Sequence, residues 1–191
     1  MALDQLGLRK EAFPFDYVNT QPGWILDYLK DPDSFIPARE KMVYDKENDV
    51  IRNLQGVGFL HHDMRDGFET TRQTFQRRFE RLQSVFKSGG KILLVYTSEA
   101  DVYNEMNSRY NDNYRELEKI VEYLESAYTG IDVEVLAIHT NRIYPSTSQF
   151  HNYTIFVDRQ YMSDNQETHV PEVFNPYRAK ILQFLKEIFS L

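Results

Sequence analysis

The chain has 191 residues, 29 of them acidic and 22 basic, for a net charge of −7; that balance excludes a general nucleic-acid coat, which needs clustered positive charge to neutralise phosphates. Hydrophobic residues make up 41%, with 13 Phe, 13 Tyr and only 8 Gly, so one domain over residues 1–191 with a ring-rich core is expected and a glycine-rich repeat scaffold is not. No apolar run approaches the roughly 18 residues of a membrane span, no basic segment leads into an apolar signal-type core, and cysteine is absent, which sets the expectation of a cytoplasmic protein without a membrane span.

In chain order, Ala2, Leu3 and Leu6 before Gly7 read as the end of a helix closed by a glycine. Trp24-Ile25-Leu26 with Tyr28-Leu29 predicts a short helix that stops near Asp31-Pro32, since a proline disfavours helical backbone in the residue before it. Residues 33–56 mix charge with isolated apolar residues and show no period. Val57 to Asp63 reads as a strand running into a loop. From Thr71 to Lys87, Phe75, Phe79, Leu82 and Phe86 recur at helical spacing, and Gly89-Gly90 ends the pattern. Lys91-Ile92-Leu93-Leu94-Val95-Tyr96 is a continuous apolar run of the kind buried on both faces. Asn113 and Glu116 form a capping box ahead of a helix with Leu117, Ile120, Val121 and Leu124 on one side, closed by Gly130. Val133 to Ile138 and Tyr153 to Val157 are the next strands, and Asn175-Pro176 opens a final helix carrying Ile181, Phe184, Leu185 and Ile188. Strand, helix and strand over residues 91–138 imply a parallel, right-handed unit. The expected fold is α/β, a three-layer Rossmann-like domain with a mainly parallel sheet.

Charge is unevenly placed. From Arg72 to Lys91 six basic residues face one acidic residue, a local +5 in a chain of −7. Arg77 and Arg81 lie one helical turn apart, so two forked guanidinium groups could meet one phosphate or carboxylate; the other reading is solvated arginines near a helix C-terminus, where the dipole favours cations and works against an anion. His61-His62-Asp63 follows a predicted strand, where α/β proteins place ligand contacts. An imidazole titrating near neutral pH makes His62 a candidate general base, oriented by Asp63 or Asp16; a His-Asp pair that ties down a loop is the plainer reading. His139-Thr140-Asn141-Arg142 occupies a similar carboxyl edge after Val133 to Ile138. Phosphate-loop, dinucleotide and zinc signatures are absent, and no bound cofactor or metal is expected. Ser34, Ser84, Ser88, Ser98 and Ser108 lack a Gly-x-Ser-x-Gly elbow.

Four pieces in order, Leu6-Gly7-Leu8-Arg9 with Phe13-Pro14-Phe15-Asp16-Tyr17, then His62-Asp63, then Arg77-Arg78 with Arg81-Leu82, then Ile92 to Val95, resemble a bacterial and viral family labelled papain-like cysteine peptidases. The likeness covers roughly residues 1–140. It departs at Tyr17, where the family commonly has Trp, and at Tyr96-Thr97-Ser98, where an arginine is common. The family places a first strand and a Ser-Leu-Gly-x-x-Cys turn upstream of Ala2, so the resemblance implies that the first strand and the nucleophile are missing here. It implies an inactive peptidase relative in which Asp16, His62 and Asp63 share one cleft on the carboxyl side of the parallel strands, with Arg77, Arg78 and Arg81 facing it. The alternatives are a domain that binds an anionic small molecule such as phosphate or a nucleotide sugar, glycosyltransferase-like in character, and a non-catalytic interaction module.

Overall fold

The computed structural model describes residues 7, 10–16, 18, 20–47, 49–59, 61–97, 114–156 and 176–189, with backbone alone at 176–178. The chain divides into two compact units, one of residues 11–90 and 113–132, the other of residues 1–10, 91–112 and 133–191. The chain mixes helices with a three-stranded parallel sheet, as an α/β fold requires. Among the described residues no helix is long and apolar enough to cross a membrane. The expected helix end over residues 1–9, Tyr17, Ser98, Ser108, the Asn113 cap, Val157 and Asn175 lie wholly or mostly outside the described residues.

In the first unit, α1 (Pro22–Lys30) starts with proline in its first turn, where the missing N–H costs nothing, and stops at Asp31 before Pro32. Two 3-10 turns (Pro32–Ser34 and Arg39–Lys41) lead to a short antiparallel hairpin, β1 (Val43–Asp45) with β2 (Val50–Arg52), in the register Tyr44↔Ile51. α2 (Phe68–Lys87) buries Phe68, Phe75, Phe79 and Phe86. The core gathers around Phe35, whose ring centroid lies 4.8 Å from Tyr28, 5.1 Å from Phe75, 5.4 Å from Phe59 and 5.5 Å from Phe79. Most of these pairs meet edge to face, the arrangement favoured by the ring quadrupole. α3 (Glu116–Ala127) buries Leu117, Ile120, Val121 and Leu124, and Tyr123 beside that stripe donates its hydroxyl to the Leu29 carbonyl at 3.4 Å. After α2, Gly89 takes φ +72, and a side chain there would meet the Gly130 carbonyl oxygen at 3.1 Å, so both its backbone and its surroundings call for glycine.

One expected strand is corrected here. Residues 57–59 are extended but join β2 only through a single antiparallel bridge, Arg52↔Gly58, and take no place in the parallel sheet. Val57 and Phe59 are buried because they enter the aromatic cluster, and alternate burial of this kind looks the same in sequence as a sheet strand.

The second unit holds the sheet, ordered β3-β4-β5: β3 (Gly90–Thr97), β4 (Ile131–Thr140) and β5 (Phe150–Ile155). β4 is central and buried on both faces from Val135 to Thr140. β3 is not, which corrects the expectation: Ile92, Leu94 and Tyr96 are half-buried while Leu93 and Val95 are exposed at 45% and 40%. A continuous apolar run fits two-faced burial only in a central strand, and β3 stands at the end of the order. One face of β4 and β5, with Leu136, Ile138 and Ile155, packs on Ile181 and Leu185 of α4 (Pro176–Ile188). β4 and β5 pair in parallel, Val135↔Phe150 to Thr140↔Ile155, yet only nine residues, 141–149, connect them, where such crossovers usually take about a dozen or more. Asn141 begins the return in left-handed backbone, φ 55, and donates its N–H to the Ile155 carbonyl at 3.1 Å.

Candidate functional site

The entry to α2 is built by Asp63. Its Oδ1 accepts the backbone N–H groups of Arg65 and Asp66, each at 3.0 Å, and the Thr71 hydroxyl donates to its carbonyl at 2.9 Å. Backbone N–H groups, of Gly67 first and then of Asp66, hold the carboxyl below its ordinary range. This is the short-range turn that Asp side chains make ahead of helices. The carboxylate predicted to orient His62 is therefore engaged in shaping the helix start.

His62 precedes that turn, its N–H reaching the Phe59 carbonyl at 3.3 Å. Its ring meets Phe75 edge-on at 4.8 Å, and the Arg78 guanidinium lies 4.8 Å from the same Phe75 ring. The His62 Nε2 is buried and has no hydrogen-bond partner among the described residues. Burial lowers the imidazole pKa, and the positive charge of Arg78, then His61, lowers it further. Near pH 7 the ring is accordingly neutral and can accept a proton.

Next to it is a cavity of about 170 Å³ lined by Asp49, Val50, Ile51, Phe59, His62, Asp63, Met64 and Arg65. Val50, Ile51, Phe59 and Met64 line it together with His62 and the charged Asp49, Asp63 and Arg65. Asp49 accepts the Tyr44 hydroxyl at 2.5 Å and the Arg65 guanidinium, which also reaches the Tyr44 hydroxyl at 3.2 Å. The Tyr44 hydrogen bond and then Arg65 hold the Asp49 carboxyl down, while the same hydrogen bond raises Tyr44. Nothing in the sequence announced Tyr44, Asp49 and Arg65 as a group, because they come from a hairpin and a separate loop.

The other predicted residues are placed differently. Asp16 closes its own turn: its Oδ2 accepts the Phe13 N–H at 2.7 Å and its N–H reaches the Phe13 carbonyl at 3.2 Å. It is not among the residues lining the His62 cavity. Arg81 donates Nη1 to the Ala12 carbonyl at 2.6 Å and pairs with Glu11 at 3.3 Å. Arg77 is exposed and bonds the Thr74 hydroxyl at 3.1 Å on its own helix. The three arginines thus have three separate sets of partners. His139 is fully buried, its Nε2 2.9 Å from Asn152 Oδ1. Among the described residues no three acidic, His or Cys side chains are grouped to hold a metal ion. Compared with family models, curated proteins and solved structures, the chain matches none.

Proposed function

We propose that the cavity beside His62 binds a small neutral group carrying a hydrogen-bond donor, such as a peptide amide, and that His62 is the proton-accepting residue there. The buried, unpartnered His62 Nε2 next to a cavity carries this reading, since buried polar atoms otherwise find partners within the protein or in bound molecules. About 170 Å³ is comparable to a cavity that holds benzene. Asp49 and Arg65 pair with each other and Asp63 is held by backbone N–H groups, which favours a neutral occupant over an ion. The resemblance to papain-like cysteine peptidases adds a role for the imidazole as a base, and the β3-β4-β5 parallel order supports extending the proposal to a Rossmann-like fold.

No thiol is present in these 191 residues, so the proposal is of binding without thiol-dependent cleavage, because the thiolate is that mechanism's nucleophile. The competing anion site at Arg77, Arg78 and Arg81 has less support, as Arg81 is engaged by Ala12 and Glu11. Long-range ¹H–¹⁵N NMR of the imidazoles decides between them. N-acetyl-leucine methylamide at millimolar concentration should move the His62 resonances, and His62→Gln should abolish its binding. Shifts caused by inorganic phosphate and lost in Arg78→Ala/Arg81→Ala, with no response to the amide, would reverse the assignment. Hydrolysis blocked by iodoacetamide would remove the non-cleaving part of the proposal.

A further inference from the structure

One side of α4 carries a short pattern of its own. Lys180, Gln183, Phe184 and Glu187 follow one another at steps of three, one and three residues, which sets them in one stripe along the helix. Ile181 and Leu185, on the adjoining side, are buried against Leu136, Ile138 and Ile155 of the sheet. With Ile155 and Phe156 at the end of β5, the stripe lines an open groove of about 380 Å³. Phe184 is half-buried, its ring centroid 4.7 Å from that of Tyr153, while Phe156 is 62% exposed and Tyr153 42%.

The two charges of the stripe meet only neutral groups. Lys180 donates Nζ to the Phe156 carbonyl at 2.7 Å, and Glu187 accepts the Gln183 Nε2 at 3.1 Å. Lys180 and Glu187 stand seven residues apart, about 10 Å along the helix axis, too far to pair with each other. Among the described residues neither is in an ion pair, and both are exposed. The stripe is nevertheless its own complement. Lys180 and Glu187 are equidistant from the midpoint between Gln183 and Phe184, so a two-fold axis at that midpoint lays a second α4 antiparallel to the first. Each Lys180 then comes level with the Glu187 of the other copy, and each Phe184 with the other Gln183, which is the self-complementarity that a two-fold interface requires.

We propose that this stripe is the contact between two copies of the chain, joined through antiparallel α4 helices about a two-fold axis between Gln183 and Phe184. Opposite charges that come level across the axis set orientation and register; a parallel pairing would place Lys180 against Lys180 and Glu187 against Glu187. Phe184 and the exposed Phe156 supply apolar surface to the groove, so that the centre of the contact is apolar and its ends charged. One helix face with its groove offers less than roughly 1,200 Å² in total, so the dimer is of the weak, reversible class, in exchange with monomer at about 0.1 mM. The contact is separate from the His62 cavity and does not depend on it.

The test is sedimentation equilibrium of the full chain from about 10 μM to about 1 mM. The unmodified chain should pass from monomer to dimer over this range, less readily as salt is added, because exposed charges are screened. Lys180→Glu and Glu187→Lys should each weaken the dimer about tenfold or more, since either change sets like charges together at both ends of the contact. The chain carrying both substitutions should dimerise like the unmodified one, and an equimolar mixture of the two single variants should form a heterodimer. A monomer throughout the range, or a dimer indifferent to the single reversals, would overturn the proposal. A double variant as weak as the single ones would overturn it as well, because the antiparallel register would then be wrong. If Lys180→Glu does not fold, Glu187→Lys is compared with Glu187→Gln: charge reversal should weaken the dimer more than neutralisation, and equal association of both with the unmodified chain would refute the contact.

Discussion

The Asn53 side chain, 1% exposed, donates to the Tyr28 hydroxyl at 2.8 Å and to the Phe35 carbonyl at 3.0 Å, and accepts the Val57 N–H at 3.0 Å. One amide thus ties α1, the following turn and the segment leading to His62. Asn53→Ala leaves three buried polar groups without partners, and at about 1 kcal/mol or more for each, a loss of about 3 kcal/mol in chemical denaturation is expected.

Tyr28 makes the same core sensitive to alkali. Burial pushes its pKa from 10.0 to about 12, against the smaller lowering effect of the Asn53 hydrogen bond. Above pH 10 the unfolded chain loses this proton while the folded chain keeps it. Stability present below pH 10 should fall progressively to about pH 12, by about 2 to 3 kcal/mol, and Tyr28→Phe should flatten that part of the pH–stability curve.

A methyl group at Gly67 would lie 2.8 Å from Asp63 Oδ2, within the turn that starts α2. Gly67→Ala should destabilise the protein by about 1 kcal/mol, by displacing a carboxylate that acts as a helix-start acceptor. In an Asp63→Ala background the obstruction is gone, and the same substitution should become neutral or stabilising by about 0.5 kcal/mol through reduced unfolded-state entropy. Urea unfolding of the four chains in a double-mutant cycle measures this reversal. An equal cost in both backgrounds would exclude the contact as its cause.

His62 sets a mild-acid limit. Its folded pKa lies below the unfolded value of 6.5, so the unfolded chain takes up the proton first, and stability is lost as pH falls from about 6.5 through the folded pKa. Arg78→Gln removes a nearby positive charge and should shift the NMR titration of His62 upward. A titration that does not move would mean that Arg78 contributes nothing beyond burial and His61.

Arg81 holds the chain segment before Phe13. Arg81→Ala should cost about 1 kcal/mol and speed proteolysis around residues 11–16, and Arg81→Lys should restore little because a lysine lacks the guanidinium fork. Phosphate affinity measured by calorimetry should be unchanged in both variants.

Where a pattern reports burial directly, it was legible in the sequence. Of the predicted stripe Phe75, Phe79, Leu82 and Phe86, α2 buries the three phenylalanines while Leu82 is half-buried, and it also buries Phe68 and Thr71 nearer its start; Leu117, Ile120, Val121 and Leu124 are the residues α3 buries. The hairpin was illegible because β1 and β2 have three residues each, with Val43 and Tyr44 exposed, too short and too little buried to show a period. Val57 and Phe59 show alternate burial without sheet membership. His62 and Asp63, which stand out in the sequence by residue type and order, line the cavity, whereas Asp16, expected beside them, does not. The use of Asp63 by Arg65 and Asp66 depends on backbone N–H groups that have no signature in residue identity, and the pairing of His139 with Asn152 depends on a register fixed only after the return through Asn141.

That return also bears on how the sheet assembles. Parallel strands usually wait for distant parts of a chain to meet, whereas Val135 and Phe150 become neighbours after closing a loop of only the residues 136–149, short for a parallel pair. Since the entropy lost on loop closure grows with the length enclosed, β4 and β5 are the parallel pair able to form first. β3, roughly 40 residues earlier at its start than β4, then has an existing edge to join, and the most local pairing in the sheet is also the one that carries His139.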